Sequence, residues 1–431
     1  MPPIPLSDAA PAAAPAAAPA SAPAPARGAR WRRALGWLPD IGADLLAFCT
    51  ALVCAVLAAL LVGSIGGCGG GVGTEGTGTF ASVGSGPITG FGSIVVSGVR
   101  YDDSSASVSD DDGNGSDRSK LALGMVVDVE GGAVSTAADG VTLVSTATSV
   151  RTRRALLGPA TDVAADGASL RVLGQLVLVT ADTTLGNGLG TPAALAALPA
   201  GQLLEVWGLY DASRTAWVAT RIALAPAGST YCVSGPVATV DGGQDFTIGS
   251  QTFAGSTAGL AAGTVVQLKL QAVQDSSSRW VVSTQRSDTP FSGERDGAGV
   301  EGVVASVLSA SRFTVSGITV DSSAAQVSGT VQPGARVQVR GKLSGGVLVA
   351  TRVQASAAEQ PRGYELKGTP TSLDTANRRF VLRGVTVDYS RASFQGGNAA
   401  ALVGYTGVLE VKGSLSADRQ VLAADTVKFD D

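Results

Sequence analysis

An all-β fold built from tandem repeats is what this sequence predicts, and three observations carry the prediction. Glycine is abundant, at 57 of 431 residues, while aromatic residues make up 5% and charged residues 15%. That palette suits short strands and tight turns, because Val and Thr fit a pleated surface and Gly supplies positive φ. Long exposed helices would require more Glu, Lys and Arg. Apolar and polar residues also alternate strictly in stretches such as Phe313-Thr314-Val315 and Val337-Gln338-Val339, the period of a strand with one buried and one wet face. Finally, one succession of marks returns five times along the chain.

The N-terminus reads differently. Residues 1–26 are almost wholly Ala and Pro and offer nothing for a core. Arg27, Arg30, Arg32 and Arg33 follow, and from Leu45 to Ile65 the chain is uncharged and mostly apolar. Basic, then apolar, then small residues is the order of an export signal. Ile65-Gly66-Gly67-Cys68 resembles a bacterial lipobox, in which an aliphatic and two small residues precede the cysteine that takes the lipid. The expectation is a low-complexity and basic segment over 1–44, an apolar signal over 45–67 and a Gly-rich tether over 68–84, with Cys68 lipidated. No Asp follows Cys68 directly, which resembles the Gram-negative sorting pattern for the outer membrane. The expected location is therefore the cell envelope, as an outer-membrane lipoprotein facing the periplasm or the cell surface. An uncleaved transmembrane helix is the other reading of the same stretch, since about 20 apolar residues span a bilayer.

Behind this lie the repeats, expected at 85–155, 156–226, 230–288, 297–357 and 362–431. Each opens on a Gly-led strand, as in Gly86-Pro87-Ile88 and Gly235-Pro236-Val237. A hairpin follows, clearest at Phe313–Asp321 around Ser316-Gly317, where a two-residue turn needs positive φ. In the third repeat the turn reads Gly249-Ser250, with Gly first, which suits the other mirror-type turn. Next comes a Gly and an alternating strand that ends in Gly, as from Gly124 to Gly131, Gly201 to Gly208 and Gly334 to Gly341. In the third repeat Leu270 takes the place of that last Gly. A final apolar strand completes the unit. Short Ala-rich pieces near Pro192–Leu198 and Asn398–Leu402 precede the fourth strand. Three strands, a helical turn and two strands is the order of an OB-type barrel, with an SH3-like barrel as the competitor. Linkers are expected near Ala225–Thr230, Ser287–Gly297 and Ala355–Gly363, so that the repeats sit as beads on a string.

Gly90-Phe91-Gly92-Ser93-Ile94-Val95-Val96-Ser97-Gly98-Val99-Arg100-Tyr101-Asp102, followed by Leu123–Gly131, resembles the bacterial domain of unknown function 5666 family. Repeat one carries the resemblance best, repeats four and five fairly, repeats two and three loosely. The resemblance implies an exported protein with tandem β domains and brings no catalytic residues with it.

Several chemistries lack their residues. There is no His, which removes the commonest general base and metal ligand. Of four cysteines, Cys49 and Cys54 fall in the signal and Cys68 is expected to carry lipid, leaving Cys232 alone, a small buried hydrophobe rather than a nucleophile. The net charge is −4, so a partner recognised through phosphates is not expected. The one basic cluster, Arg151, Arg153 and Arg154, reads as a solvated linker. Asp110, Asp112 and Asn114 at alternate positions, with Gly115 next, resemble the start of a calcium loop, but Leu121 stands where the closing Glu belongs. The alternative is an acidic solvated loop. Asp321 and Asp388 recur at strand ends, as turn chemistry requires, and Trp207, Trp217 and Trp280 fall on strands, as packing residues.

No catalytic residue and no cofactor is expected. The leading expectation is a non-enzymatic, lipid-anchored rod of barrels. It meets the membrane through Cys68 and binds an envelope protein or polysaccharide, or spaces structures apart. The alternatives are a periplasmic hydrolase acting on glycans or peptides through paired carboxylates, and nucleic-acid binding inferred from the OB-like shape alone.

Overall fold

A computed structural model describes residues 82–186, 188–288, 290–291, 293–357, 360–419 and 421–430. The signal segment and Cys68 lie outside these residues. The regular secondary structure of the described part is nearly all strand. Repeat one takes its opening strand from Ser82–Phe91, a hairpin from Ile94–Val96 and Val99–Asp102, a fourth strand from Val126–Gly131 and a fifth from Leu143–Thr152. The opening strand pairs antiparallel with the second and the fourth. The third and fifth run parallel, and the fourth and fifth antiparallel. The ring is therefore first, second, third, fifth, fourth and back to the first, which is the OB order rather than an SH3-like one.

Repeats two, three and four close the same ring, each with a parallel third and fifth strand. In repeat five the opening strand is in two pieces, Tyr364–Gly368 and Thr371–Asp374, on either side of Pro370. Its parallel pair, Val385–Asp388 with Val421–Asp430, is kept. The Ala-rich pieces form a one-turn helix at Pro192–Ala196, capped by the Thr191 hydroxyl, and a 3-10 turn at Ala399–Leu402, capped by Asn398.

The recurring glycines have two physical reasons. At the closure, the N–H of Gly124, Gly201, Gly263 and Gly334 donates to the opening-strand carbonyls of Ile88, Ala160, Val237 and Val304 at 2.8–3.0 Å. All four glycines take φ between 81° and 87°, which a side chain would strain. At the end of the fourth strand, a Cβ on Gly131 or Gly208 would stand 2.6 or 2.8 Å from the carbonyl oxygen of Thr146 or Val218. Gly341 and Gly413 meet Val349 and Ala423 in the same way. The register slips beside each of these glycines, so they sit at bulges that bend the sheet into a barrel. Repeat three places Leu270 at its own slip.

The hairpin turns also take the expected form. Ser97-Gly98, Leu173-Gly174, Ser316-Gly317 and Arg383-Gly384 all have positive φ at both residues, whereas Gly249 carries it at the first position of its pair.

The bead-on-a-string arrangement is not what the structure shows. The described residues form one compact unit. The opening strand of repeat one begins at Ser82, inside the stretch assigned to the tether, and Ser82–Ser85 pair in parallel with Gly297–Val300 of repeat four. Further on, Gly90 and Phe91 pair with Glu365 and Leu366 of repeat five. Repeats two and three join through Leu156 and Leu157 against Val233 and Cys232. The cores fuse accordingly. One apolar cluster runs through repeats one and five, another through two and three, and a third holds repeat four with Val83. A smaller cluster of Val126, Trp207, Leu209, Ala223 and Val303 joins repeats one, two and four. The expected linkers are part of this packing: Asp288 and Arg362 are both buried.

Gly317 tests both the turn and the packing. Its φ is 78°, and a Cβ there would stand 3.1 Å from Val265 Cγ2 of repeat three. Gly317→Val should cost on the order of 1–3 kcal/mol, read as a lower urea midpoint. New proteolytic cuts should appear in repeats three and one as well as in repeat four. Cuts confined to repeat four would mean that the repeats fold independently.

Candidate functional site

The most elaborate chemistry lies where repeats meet. Asp111 of repeat one is buried at the boundary with repeats two and three. Its Oδ1 accepts from Arg154 at 2.6 Å and its Oδ2 lies 3.2 Å from Lys269 Nζ. Arg154 reaches Glu205 with its other nitrogen at 2.8 Å, and Lys269 also pairs with Asp112 at 2.9 Å. The Cys232 sulfur lies 3.9 Å from Asp111 Oδ2. Next to this group, Arg153 bridges Asp288 at 2.9 Å and Asp128 at 3.5 Å, while Asp128 also takes Arg151 at 2.8 Å and the Ser85 hydroxyl at 2.8 Å. Ser234 donates to Asp288.

Two expectations are corrected here. Arg153 and Arg154 are not a solvated linker, because both are largely buried among carboxylates from three repeats; only Arg151 is substantially exposed. The 110–117 loop is not wholly solvated either, because its middle Asp is part of the junction. Apolar alternation flags strands, but it carries no sign of which charges a neighbouring repeat will cover.

Electrostatics fits the geometry. Burial acts to raise the Asp111 carboxyl, but the Arg154 and Lys269 cations outweigh it and hold it below its ordinary value of 3.8. Burial, reinforced by Asp111, pushes the Cys232 thiol up to about 12, so it stays protonated and poorly nucleophilic.

The other predicted residues are placed plainly. Asp110 binds its own loop: Oδ1 accepts from the backbone N–H of Asp112 and of Asn114, each at 2.9 Å, and Oδ2 from Asn114 Nδ2 at 3.2 Å. The carboxylates of Asp110, Asp111 and Asp112 come together, but Asp111 and Asp112 already serve Arg154 and Lys269. Asp321 and Asp388 accept from the backbone N–H groups of Ser323 and Ser390, and the Ser323 contacts bring Asp321 down to about 2. The three Trp side chains are buried.

Repeats one to four enclose a cavity of about 400 Å3 beside the junction. Arg153, Arg154, Asp288 and Glu301 are its charged lining, and Val126, Leu209, Trp217, Val265 and Val303 supply much of its apolar wall. Trp217 stacks edge-on against Tyr210 at 5.3 Å. Glu301 is held by Arg362 at 2.7 Å. Two wider depressions of about 450 and 520 Å3 flank the segment near Gln360; both are more open and more polar. Arg362 also donates its backbone N–H to Asp182 at 2.7 Å, and Asp182 pairs with Arg336 at 2.9 Å, tying repeats two, four and five. Asp111, Asp182, Lys269, Asp288, Glu301 and Arg362 were all missed by sequence reasoning. The Arg153-Arg154 pair was the one available signal.

The fold and junction define a β-repeat architecture in which OB-order barrels are fused around a shared cavity. Residues 158–223 of repeat two and 301–354 of repeat four match the family described as Domain of unknown function (DUF5666). The matched ranges lie outside repeat one, on which the resemblance reads best. No curated protein matches the chain.

Two measurements follow. Because Asp111 is depressed in the folded state, its contribution to stability is whole above pH 3.8 and is lost as pH falls below it. Asp111→Asn should cost on the order of 3 kcal/mol at neutral pH, the low end for breaking a buried pair, since Arg154 keeps Glu205 and Lys269 keeps Asp112. It should also flatten the acid limb of a plot of urea midpoint against pH. Calorimetric titration of calcium into the protein should give an affinity of about millimolar or weaker, because the Asp110–Asn114 oxygens are engaged and no closing Glu follows. Micromolar affinity would make the loop a true calcium site.

Proposed function

We propose that this chain is a non-enzymatic, lipid-anchored cell-envelope protein whose folded body binds a ligand at the four-repeat cavity. The cavity is the observation that carries the binding role, because it is more enclosed and more apolar than the two wider depressions near Gln360. The anchoring role rests on the Arg-rich, apolar, Ile65-Gly66-Gly67-Cys68 succession. A rod-like spacer fits poorly with one compact unit. The buried, protonated Cys232 and the absence of His speak for binding over acyl transfer.

A second reading, a hydrolase of envelope glycans or peptides, draws support from Asp288 and Glu301, two carboxylates from different repeats on one cavity wall. Each is already engaged by an arginine, which leaves neither free to serve a substrate. The acidic balance of the chain speaks against nucleic acid.

Cells given labelled palmitate should incorporate it into the wild-type chain, and the protein should partition with membranes. Cys68→Ser should abolish the label. An unlabelled wild-type chain would end the lipoprotein reading. Release of fragments from purified peptidoglycan, lost in Glu301→Gln, would replace binding by hydrolysis.

A further inference from the structure

Resting on the binding reading above, we infer that the four-repeat cavity takes a small uncharged molecule of about two rings that carries a hydrogen-bond acceptor. The size comes first. A volume of about 400 Å3 lies near the low end of the range for small-molecule sites, roughly 300–1,000 Å3, which suits a compact ring system better than an oligosaccharide or a long acyl chain. The walls come next. Val126, Leu209, Val265 and Val303 provide aliphatic surface from four repeats, and the Tyr210–Trp217 pair provides an aromatic face.

Charge decides between neutral and ionic ligands. The lining holds two cations, Arg153 and Arg154, and two anions, Asp288 and Glu301. Every one of them is already paired: Arg153 with Asp288 and Asp128, Arg154 with Asp111 and Glu205, Glu301 with Arg362. An ionic ligand would have to break one of these pairs or enter a largely apolar cavity uncompensated, and both are costly. A neutral ligand leaves them intact.

The acceptor follows from the donors that remain. The Nε of Arg153, the Nε of Arg154 and the indole Nε1 of Trp217 have no acceptor among the described residues, but all three are covered and out of reach of a molecule in the cavity, whereas the Tyr210 and Ser316 hydroxyls line it and make no hydrogen bond to another described residue. Among the lining hydroxyls, Ser85 and Ser234 are committed to Asp128 and Asp288, and Ser306 to Thr314. The cavity therefore offers two hydroxyl donors to a ligand, and a donor covered by a ligand without an acceptor is unfavourable. A ligand carbonyl or ether oxygen supplies what the protein lacks.

The probe is coumarin, a neutral two-ring lactone, set against coumarin-3-carboxylate, which has the same rings and a negative charge. The full chain is held in lipid nanodiscs, with empty discs as the blank, and uptake is read by equilibrium dialysis. Coumarin should bind saturably, and the carboxylate should bind about tenfold weaker or not at all. Ala305→Trp and Ala212→Trp fill the cavity from repeats four and two, and each should weaken coumarin by about tenfold or more at an unchanged melting temperature. Ala212 is an exposed turn residue, so that variant keeps its fold if Ala305→Trp does not. No coumarin uptake beyond the blank, equal binding of the carboxylate, or binding indifferent to both folded variants would overturn the inference. Palmitate labelling persisting under any of these results would locate the failure in the ligand class and not in the anchored protein.

Discussion

Backbone pairing between opening strands is the constraint on which the rest of this structure depends. A five-stranded barrel closes most of its edges but leaves spare N–H and C=O groups along its first strand, and exposed edges invite further pairing. In this protein they are used within the chain. The strand from Ser82 serves its own barrel through Val126–Gly131 and also carries repeats four and five. Repeats two and three satisfy one another through Leu156, Leu157, Cys232 and Val233. With those pairings made, the carboxylates and guanidinium groups of the junction are brought together away from water, and the cavity is what the curved barrels leave between them.

The junction charges obey the same logic. Isolated ions at this depth would be prohibitive, so each is held by at least one opposite charge, and several by two. Asp111 joins Arg154 and Lys269, Asp128 joins Arg151 and Arg153, and Asp182 joins Arg336 while accepting the backbone N–H of Arg362. Such pairs contribute specificity of docking as much as stability, because a misplaced repeat would strand a buried charge.

How much of this was legible in the sequence depended on the range of the interaction. Local rules worked. Ser316-Gly317 and its relatives have the positive φ that their turns require, and the alternating strands bury the faces that their period indicates. The glycines at 131, 208, 341 and 413 were visible as a recurring mark, although their reason, a carbonyl oxygen from the next strand, is a property of the closed barrel. The site was largely illegible. Asp288 and Arg362 lie in stretches rich in Gly, Pro and polar residues, which read as linkers, and their partners are distant in sequence or belong to another repeat. Arg153 and Arg154 resembled solvated charges for the same reason.

The pairing of Ser82–Ser85 with Gly297–Val300 spans more than two hundred residues, and that of Gly90 with Glu365 spans still more. Synthesis runs from the N-terminus, so the first strand leaves the ribosome long before either partner exists. Until then it presents an open edge, the template on which chains aggregate. Contacts so far apart also make for slow folding. A chain truncated before residue 295 would keep its first three barrels' internal pairings and still lack the cover for its own beginning.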